Sequence, residues 1–140
     1  MNLRFNCKNI NLGNGIYIKE LIVPVTLVGK NNIRLNFTAV LDSGSPFVLI
    51  SKEIADALEL EYDQKEVHKA KSYSGDFFST TLSHITIKIE KRNEKIQIRC
   101  RCAVQLDKQK AHENLIIGSS FFEHFRVLFD YPNNKFEIKG

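Results

Sequence analysis

The chain has no tryptophan, one methionine and three prolines among its 140 residues. It also lacks long apolar runs, since none approaches the roughly 20 residues that a membrane-spanning helix needs. The opening MNLRFNCKNIN has no apolar stretch of the kind that marks a signal peptide. We therefore expect a cytoplasmic protein that does not engage a membrane. With 43% hydrophobic and 26% charged residues, the composition is typical of a globular protein, and the length fits one domain over residues 1–140.

Cysteine is scarce and odd in number, with Cys7, Cys100 and Cys102. An odd count provides no disulfide framework. Cys100 and Cys102 lack the second pair of ligands that a zinc site needs, so we interpret them as reduced thiols on one face of a strand. The histidines show no metal-ligand spacing either, and they lie at positions 68, 84, 112 and 124. We expect no metal and no cofactor.

The formal net charge is +4 and the pI is near 9.0. A groove for nucleic acid usually combines clustered basic residues with interleaved aromatic ones. Here the basic residues are scattered along the sequence, so we expect no nucleic-acid partner; the mild positive charge favours solubility or acidic partners. The scattered residues include Lys88, Lys91, Arg92, Lys95, Arg99 and Arg101.

Apolar residues alternate with polar ones through most of the chain, a pattern that predicts half-buried strands. Ile85, Ile87 and Ile89 alternate cleanly, and residues 96–102 repeat the pattern after a turn at 91–94. Pro24 interrupts an otherwise β-rich stretch and predicts an edge or a bulge there. A last hairpin is predicted around residues 131–134.

Two short helices complete the prediction. Ser51 is a suitable N-cap for a helix that starts at Lys52, and Ser119-Ser120 can begin a second helix that carries Phe121, Phe122 and Phe125. The predicted fold is a small all-β domain with one or two short helices.

One stretch of sequence, AVLDSGSPFVLIS at 39–51, places an acid at the end of an apolar strand. A half-buried carboxylate costs free energy unless a partner or a function compensates for it. A second apolar strand ends in Ile-Gly within NLIIGSSFF, residues 114–122. Between the two, residues 67–83 predict a hairpin with Gly75 at its tip.

These elements, as VLDSGS, YSG and LIIGSSFF, resemble the retropepsin-like aspartic proteases, the single-domain, retroviral-type members of the aspartic protease family. The resemblance covers roughly residues 16–130. D-[ST]-G by itself is a weak signal, but the apolar lead, Ser45 and the Ile-Ile-Gly element with its helix make the combination specific. The resemblance implies an acid-protease-like barrel whose hairpin is a flap over the active site.

Catalysis in this family needs two carboxylates a few ångströms apart, one ionised to activate water and one protonated to polarise the carbonyl. The chain holds only one D-[ST]-G. The resemblance therefore implies a homodimer in which Asp42 from each copy forms the pair, with polypeptide as substrate.

Further residues take roles by the same resemblance. Gly44 allows close approach of the backbone and can donate its amide to the carboxylate. Ser43 can donate its hydroxyl across to the other loop, Ser45 is placed to hydrogen-bond the carboxylate, and Gly118 supports the catalytic loop by packing closely. Tyr73 and Ser74 are predicted near the flap tip, beside Gly75, where they would cover or bind the substrate. Apolar residues near Val48 and Ile50 are expected to line the pockets.

One alternative stays open at this point: a relative of the same fold that binds peptide or dimerises without cleaving it. The intact Asp42-Ser43-Gly44 argues for the enzyme, whereas Pro46 and the single glycine at the flap tip keep the alternative in view. A serine hydrolase built on Ser43 or Ser45 lacks the G-x-S-x-G elbow.

Overall fold

The computed structural model describes residues 2–71, 75–107 and 115–140. Tyr73 and Ser74, predicted near the tip of the hairpin, lie outside these residues. A short 3-10 helix spans Lys30–Asn32. The strands and α-helices are β1 Asn2–Asn6, β2 Lys8–Gly13, β3 Ile16–Glu20, β4 Ile22–Val28, β5 Arg34–Leu41, β6 Val48–Ser51, α1 Lys52–Ala57, β7 His68–Lys71, β8 Phe77–Lys91, β9 Glu94–Gln105, β10 Leu115–Ile117, α2 Ser119–Phe122, β11 Arg126–Asp130 and β12 Lys135–Lys139.

Seven strands form one sheet in the order β4-β5-β10-β6-β9-β8-β7. Strand β4 also pairs with β8, which closes the sheet on itself. The closing pair covers only Thr26–Val28 of β4, and β7 continues the sheet beyond β8. The predicted all-β barrel with two short helices is confirmed.

The longest hairpin, β8–β9, shows how the alternation builds the core. Ile85 pairs with Cys100, Ile87 with Ile98, and Ile89 with Ile96. Because directly opposed residues share a face of the sheet, these side chains point together into the barrel. The next residues along each strand point outward.

Pro24 is exposed and lies where β4 pairs with β5 alone, because the β4–β8 pairing covers only Thr26–Val28. The predicted edge position is confirmed, and the missing N–H of proline removes no hydrogen bond from the barrel closure.

Both short helices begin where the sequence predicts. The Ser51 side chain accepts a hydrogen bond from the Ile54 amide at 3.2 Å, the expected N-cap interaction. Helix α2 ends at Phe122, earlier than predicted, so Phe125 lies beyond it. The Phe125 ring still packs on the buried Phe121, with ring centroids 4.9 Å apart.

The predicted C-terminal hairpin is present as β11–β12, and β1 pairs with β12 to give a second sheet of three strands. Strand β1 was not predicted, although Leu3 and Phe5 alternate with polar residues and are both buried. Strands β2 and β3 form a separate exposed hairpin, which the sequence analysis did not separate from β4.

The cysteine thiols are buried and free. Burial raises the pKa of Cys100 to about 11 and that of Cys102 to about 12. Both residues lie on one face of β9, as predicted, and that face is buried in the core. Among the helices in the described residues, none is long and apolar enough to cross a membrane.

Candidate active site

The loop that carries Asp42 starts where two parallel strands run side by side. Strand β10 pairs with β5 in parallel, with Ile117 opposite Leu41, and antiparallel to β6 on its other side. The Asp42 amide extends this ladder by donating to the Ile117 carbonyl at 2.9 Å. Asp42 therefore emerges from the middle of the sheet, not from an edge.

A tight turn then fixes the carboxylate. The Gly44 amide donates to Asp42 Oδ1 at 2.9 Å, and the Ser45 amide donates to the Asp42 carbonyl at 3.1 Å. This is the hydrogen bond that the sequence analysis expected of the Gly44 amide. The Asp42 side chain is half-buried, so it is held by the backbone and still reachable from solvent.

Ser45 does not make the predicted hydrogen bond. Its hydroxyl donates to the Phe47 carbonyl at 2.9 Å instead of to the carboxylate, because the turn directs it toward the next stretch of its own loop. The Ser45 carbonyl accepts the Ser119 amide at 2.7 Å. Ser45 thus links the Asp42 loop to the start of α2.

The space around position 118 leaves no room for a side chain. A Cβ at this position would lie 2.3 Å from the carbonyl oxygens of Ser45 and Phe47, far inside any real contact. Its φ of −106° is available to every residue, so conformational freedom is not the reason for the glycine. Gly118 thus packs closely against the Asp42 loop.

Two serines after Gly118 brace the site, a role that the sequence analysis missed. The Ser119 hydroxyl approaches the carbonyls of Ser43 at 3.3 Å and Ser45 at 3.1 Å. The buried Ser120 hydroxyl donates to the Arg101 carbonyl at 2.8 Å and accepts the Val48 amide at 3.3 Å. The sequence showed these serines only as the start of a helix, because their partners are up to 76 residues away.

An apolar row crosses the sheet beside Asp42. The strand registers place Val40, Ile116, Leu49, Ala103 and Leu82 in one line over β5, β10, β6, β9 and β8. Side chains alternate along a strand, so this row shares the face of Asp42, two residues beyond Val40.

The members of the row are half-buried apart from the small Ala103, which is almost fully covered. Val48 and Ile50, which the sequence analysis expected to line pockets, are instead buried in the core on the opposite face. Leu49 between them is the residue that faces the Asp42 side. The sequence could not separate the two faces here, because all three residues are apolar.

The model of the eukaryotic aspartyl protease family matches residues 16–139. The chain belongs to the aspartyl protease family. A crystal structure of a retropepsin-like aspartic protease from Rickettsia conorii superposes with a TM-score of 0.53 and 13% sequence identity, covering 99% of this chain and 91% of that one. At that identity the match shows the fold, and with the family it supports protease function. A search of curated proteins finds no match.

In this aspartyl protease chain the hairpin over residues 67–83 has the predicted pairing. Lys71 lies opposite Phe77, so β7 and β8 approach their connection as an antiparallel pair. Gly75 is exposed with φ of +89°, a left-handed conformation that favours glycine. That this hairpin covers the Asp42 loop as a flap stays a prediction.

Ser43 is exposed on the Asp42 loop of the protease chain, and its carbonyl faces the Ser119 hydroxyl. Within residues 2–71, 75–107 and 115–140, its own hydroxyl has no hydrogen-bond partner. The predicted cross-loop hydrogen bond of Ser43 stays a prediction.

Ser120→Ala is expected to lower the free energy of unfolding by about 1–3 kcal/mol, because the buried Val48 amide loses an acceptor. Ser119→Ala is the matched control, since the Ser119 hydroxyl lies in a more exposed position, and we expect about 1 kcal/mol or less. Urea unfolding of both variants provides the measurement. A larger loss for Ser119→Ala would contradict this ordering.

Proposed function

We propose that the chain is a homodimeric aspartic endopeptidase whose active site contains one Asp42 from each copy. The observation that carries the proposal is a fully built catalytic loop with a single carboxylate. Four other aspartates have partners away from the Asp42 loop: Asp56 pairs with Lys52 on α1, Asp63 accepts the Lys65 amide, Asp107 accepts the Ser79 amide, and Asp130 accepts from Asn133. The second acid therefore comes from a second copy, on the two-fold axis that most homo-oligomers use.

The chemistry follows from placing two carboxylates close together. Two neighbouring carboxylates do not both ionise readily, so the pair shares a proton. The charged member takes a proton from water, and the protonated member donates to the oxygen of the scissile carbonyl. In each copy the Gly44 amide donates to Asp42 Oδ1 at 2.9 Å, which holds the carboxylate in place and favours its charged form.

The substrate is an extended polypeptide. Strands can bind such a chain by main-chain hydrogen bonds, with pockets for alternate side chains. The half-buried row from Val40 to Leu82 supplies an apolar wall beside Asp42, which favours apolar side chains next to the cut bond. The hairpin around Gly75 closes over the peptide as a flap and excludes water, with Tyr73 and Ser74 next to its tip.

Sedimentation at micromolar concentration is expected to show a dimer, and subunit mixing tests whether the site is shared. When wild-type and Asp42→Asn chains are mixed equally and allowed to exchange, about a quarter of the dimers carry two aspartates if pairing is random. Cleavage of an unfolded protein at mildly acidic pH should fall to that fraction of the unmixed rate. A chain that works alone would keep half of it.

Two outcomes would contradict the proposal. An active strict monomer would exclude a shared site. Binding of peptide without cleavage, by wild type at every pH, would favour the alternative of a non-catalytic relative.

A further inference from the structure

The basic residues that are scattered in the sequence share one face of the β8–β9 hairpin. Lys95, Arg99 and Arg101 lie on the same side of β9, with Gln97 between the first two, and all three are exposed. Alternate residues of a strand point to the same side, about 6.7 Å apart. Lys88 lies on the same outward face of β8, and His84 stands directly opposite Arg101.

At the end of the hairpin away from Arg101, electrostatics show a local cluster of cations. The pKa of Glu90 is lowered mainly by the Lys88 side chain, 2.5 Å away, and further by the charges of Lys95 and Arg34. One carboxylate thus lies in the field of three cations. Across the described ranges, no salt bridge occupies Arg99 or Arg101, so these two charges are available to a partner.

This face is continuous with the Asp42 side of the sheet. Ala103 of the apolar row is on the same side of β9 as Arg101, two residues further along. Asp42 lies two residues beyond Val40 of that row. The same step of two residues leads to Gly118 just after β10, to Phe47 just before β6 and to Arg101 within β9, so these residues are in line with Asp42. The approach of the Phe47 carbonyl to Gly118 and the Ser120 bond to the Arg101 carbonyl agree with this alignment.

The distance between Asp42 and Arg101 follows from the strand count. Three steps of about 4.8 Å separate β5 from β9, or about 14 Å. An extended peptide rises about 3.3 Å per residue, so a residue about three to five positions from the cut bond reaches the Arg101 side chain. Phe47, half-buried between them, leaves no opposing charge on this path.

We propose that Arg101, with Arg99 beside it, forms a positively charged subsite that binds carboxylates. This subsite selects substrates that carry Glu or Asp three to five residues from an apolar cleavage site. The inference rests on the proposed peptidase function and its two-fold site. Symmetry then repeats the subsite at the other end of the cleft, so acidic residues are favoured on both flanks. Arginine suits this role because its planar guanidinium binds a carboxylate with two hydrogen bonds.

The test uses full-length wild type and three peptides with one shared cleavable core, taken from a cut that the wild type makes in an unfolded protein. The peptides carry Glu, Gln or Lys at the flanking positions. We expect kcat/KM for the Glu peptide to exceed that for the Gln peptide about fivefold, the ratio that an exposed ion pair gives, and the Lys peptide to be poorest. The preference should shrink as salt is raised.

Arg101→Glu is expected to reverse the order of the Glu and Lys peptides through KM. Arg101→Gln should abolish the preference without reversing it. Lys65→Glu is the matched control: it makes the same charge change at an exposed position between α1 and β7, and should leave the order as in wild type.

Each failure has its own meaning. Equal rates for the three peptides with wild type, or an unchanged order in Arg101→Glu, would overturn the subsite while leaving the peptidase intact. If no peptide is cleaved, the peptidase proposal fails. If, in addition, the Glu peptide binds Arg101→Glu as tightly as it binds the wild type, the subsite is overturned as well. A further outcome is that the wild type binds oligonucleotide in a salt-sensitive way, that Arg101→Glu loses this binding, and that no peptide preference is seen. This face would then bind the phosphates of a nucleic acid, and the proposal would be overturned.

Discussion

Asp42→Asn is expected to abolish peptide cleavage while the fold and the binding of peptide persist. An amide does not accept the proton of water as a carboxylate does, and by symmetry one substitution removes both acids. Because general acid–base catalysis contributes about 10²–10⁴-fold, we expect a loss of about 10³-fold or more in kcat. Initial rates of peptide cleavage by the purified variant are the measurement.

Stability provides the second readout for this variant. The Asn oxygen can still accept the Gly44 amide that Asp42 Oδ1 accepts at 2.9 Å, and the like-charge repulsion between the two copies disappears. Thermal unfolding should therefore occur at the same temperature or higher.

Asp63→Asn is a matched control for both readouts. Asp63 Oδ1 accepts the amide two residues ahead, from Lys65 at 2.8 Å, in the same local geometry as Asp42 and Gly44. It lies in an exposed turn, so we expect wild-type rates and stability. Hydrolysis that survives in Asp42→Asn, or a clear drop in its stability with Asp63→Asn unaffected, would show that Asp42 is a structural carboxylate.

The sequence predicts those parts of the fold that depend on local patterns. Alternation defines β8 and β9, the hydroxyl of Ser51 marks the start of α1, and proline marks the edge of β4. Each signal depends on neighbours within a few residues. The position of Asp42 at a strand end was visible for the same reason, and its link to Gly118 was accessible only through resemblance to a family.

Features that depend on pairing between distant strands were not predictable. Val48, Leu49 and Ile50 are all apolar, so only the register with β9 and β10 shows that Leu49 faces the Asp42 side. Ser45 was assigned to the carboxylate by analogy, although its turn directs the hydroxyl to Phe47. The cations of β9 did carry a signal, since 95, 99 and 101 are all odd positions of one predicted strand, but their relation to Asp42 required the order of the strands.

Gly118→Ala is expected to be the most damaging single-methyl change in the described residues near the site. The added Cβ would lie 2.3 Å from the carbonyl oxygens of both Ser45 and Phe47 and 2.9 Å from the Phe47 carbonyl carbon. All three atoms are backbone, so no side-chain rotation relieves the contact. Overpacking costs about 1–3 kcal/mol where neighbours can adjust, and here we expect the upper end or more.

The close contact of an alanine at position 118 is relieved only if the Asp42 loop and strand β10 move apart. That movement breaks the Ser119–Ser45 bond of 2.7 Å and the Asp42–Ile117 bond of 2.9 Å, which together fix the height of the carboxylate above the sheet. Any Gly118→Ala protein that folds should therefore lose cleavage as well as stability. Urea unfolding and cleavage rates, measured on the same preparation, test both consequences.

Gly15→Asn separates this steric requirement from the general cost of replacing a glycine. Gly15 has a φ of +74° and nothing within 4 Å of its missing Cβ, and asparagine tolerates left-handed backbone better than most residues. We expect a change of about 1 kcal/mol or less and unaltered cleavage. If Gly118→Ala were as mild as Gly15→Asn, the close contact of the two loops would not be what holds Asp42 in place, and the proposed alignment of Asp42 with Arg101 would lose its support.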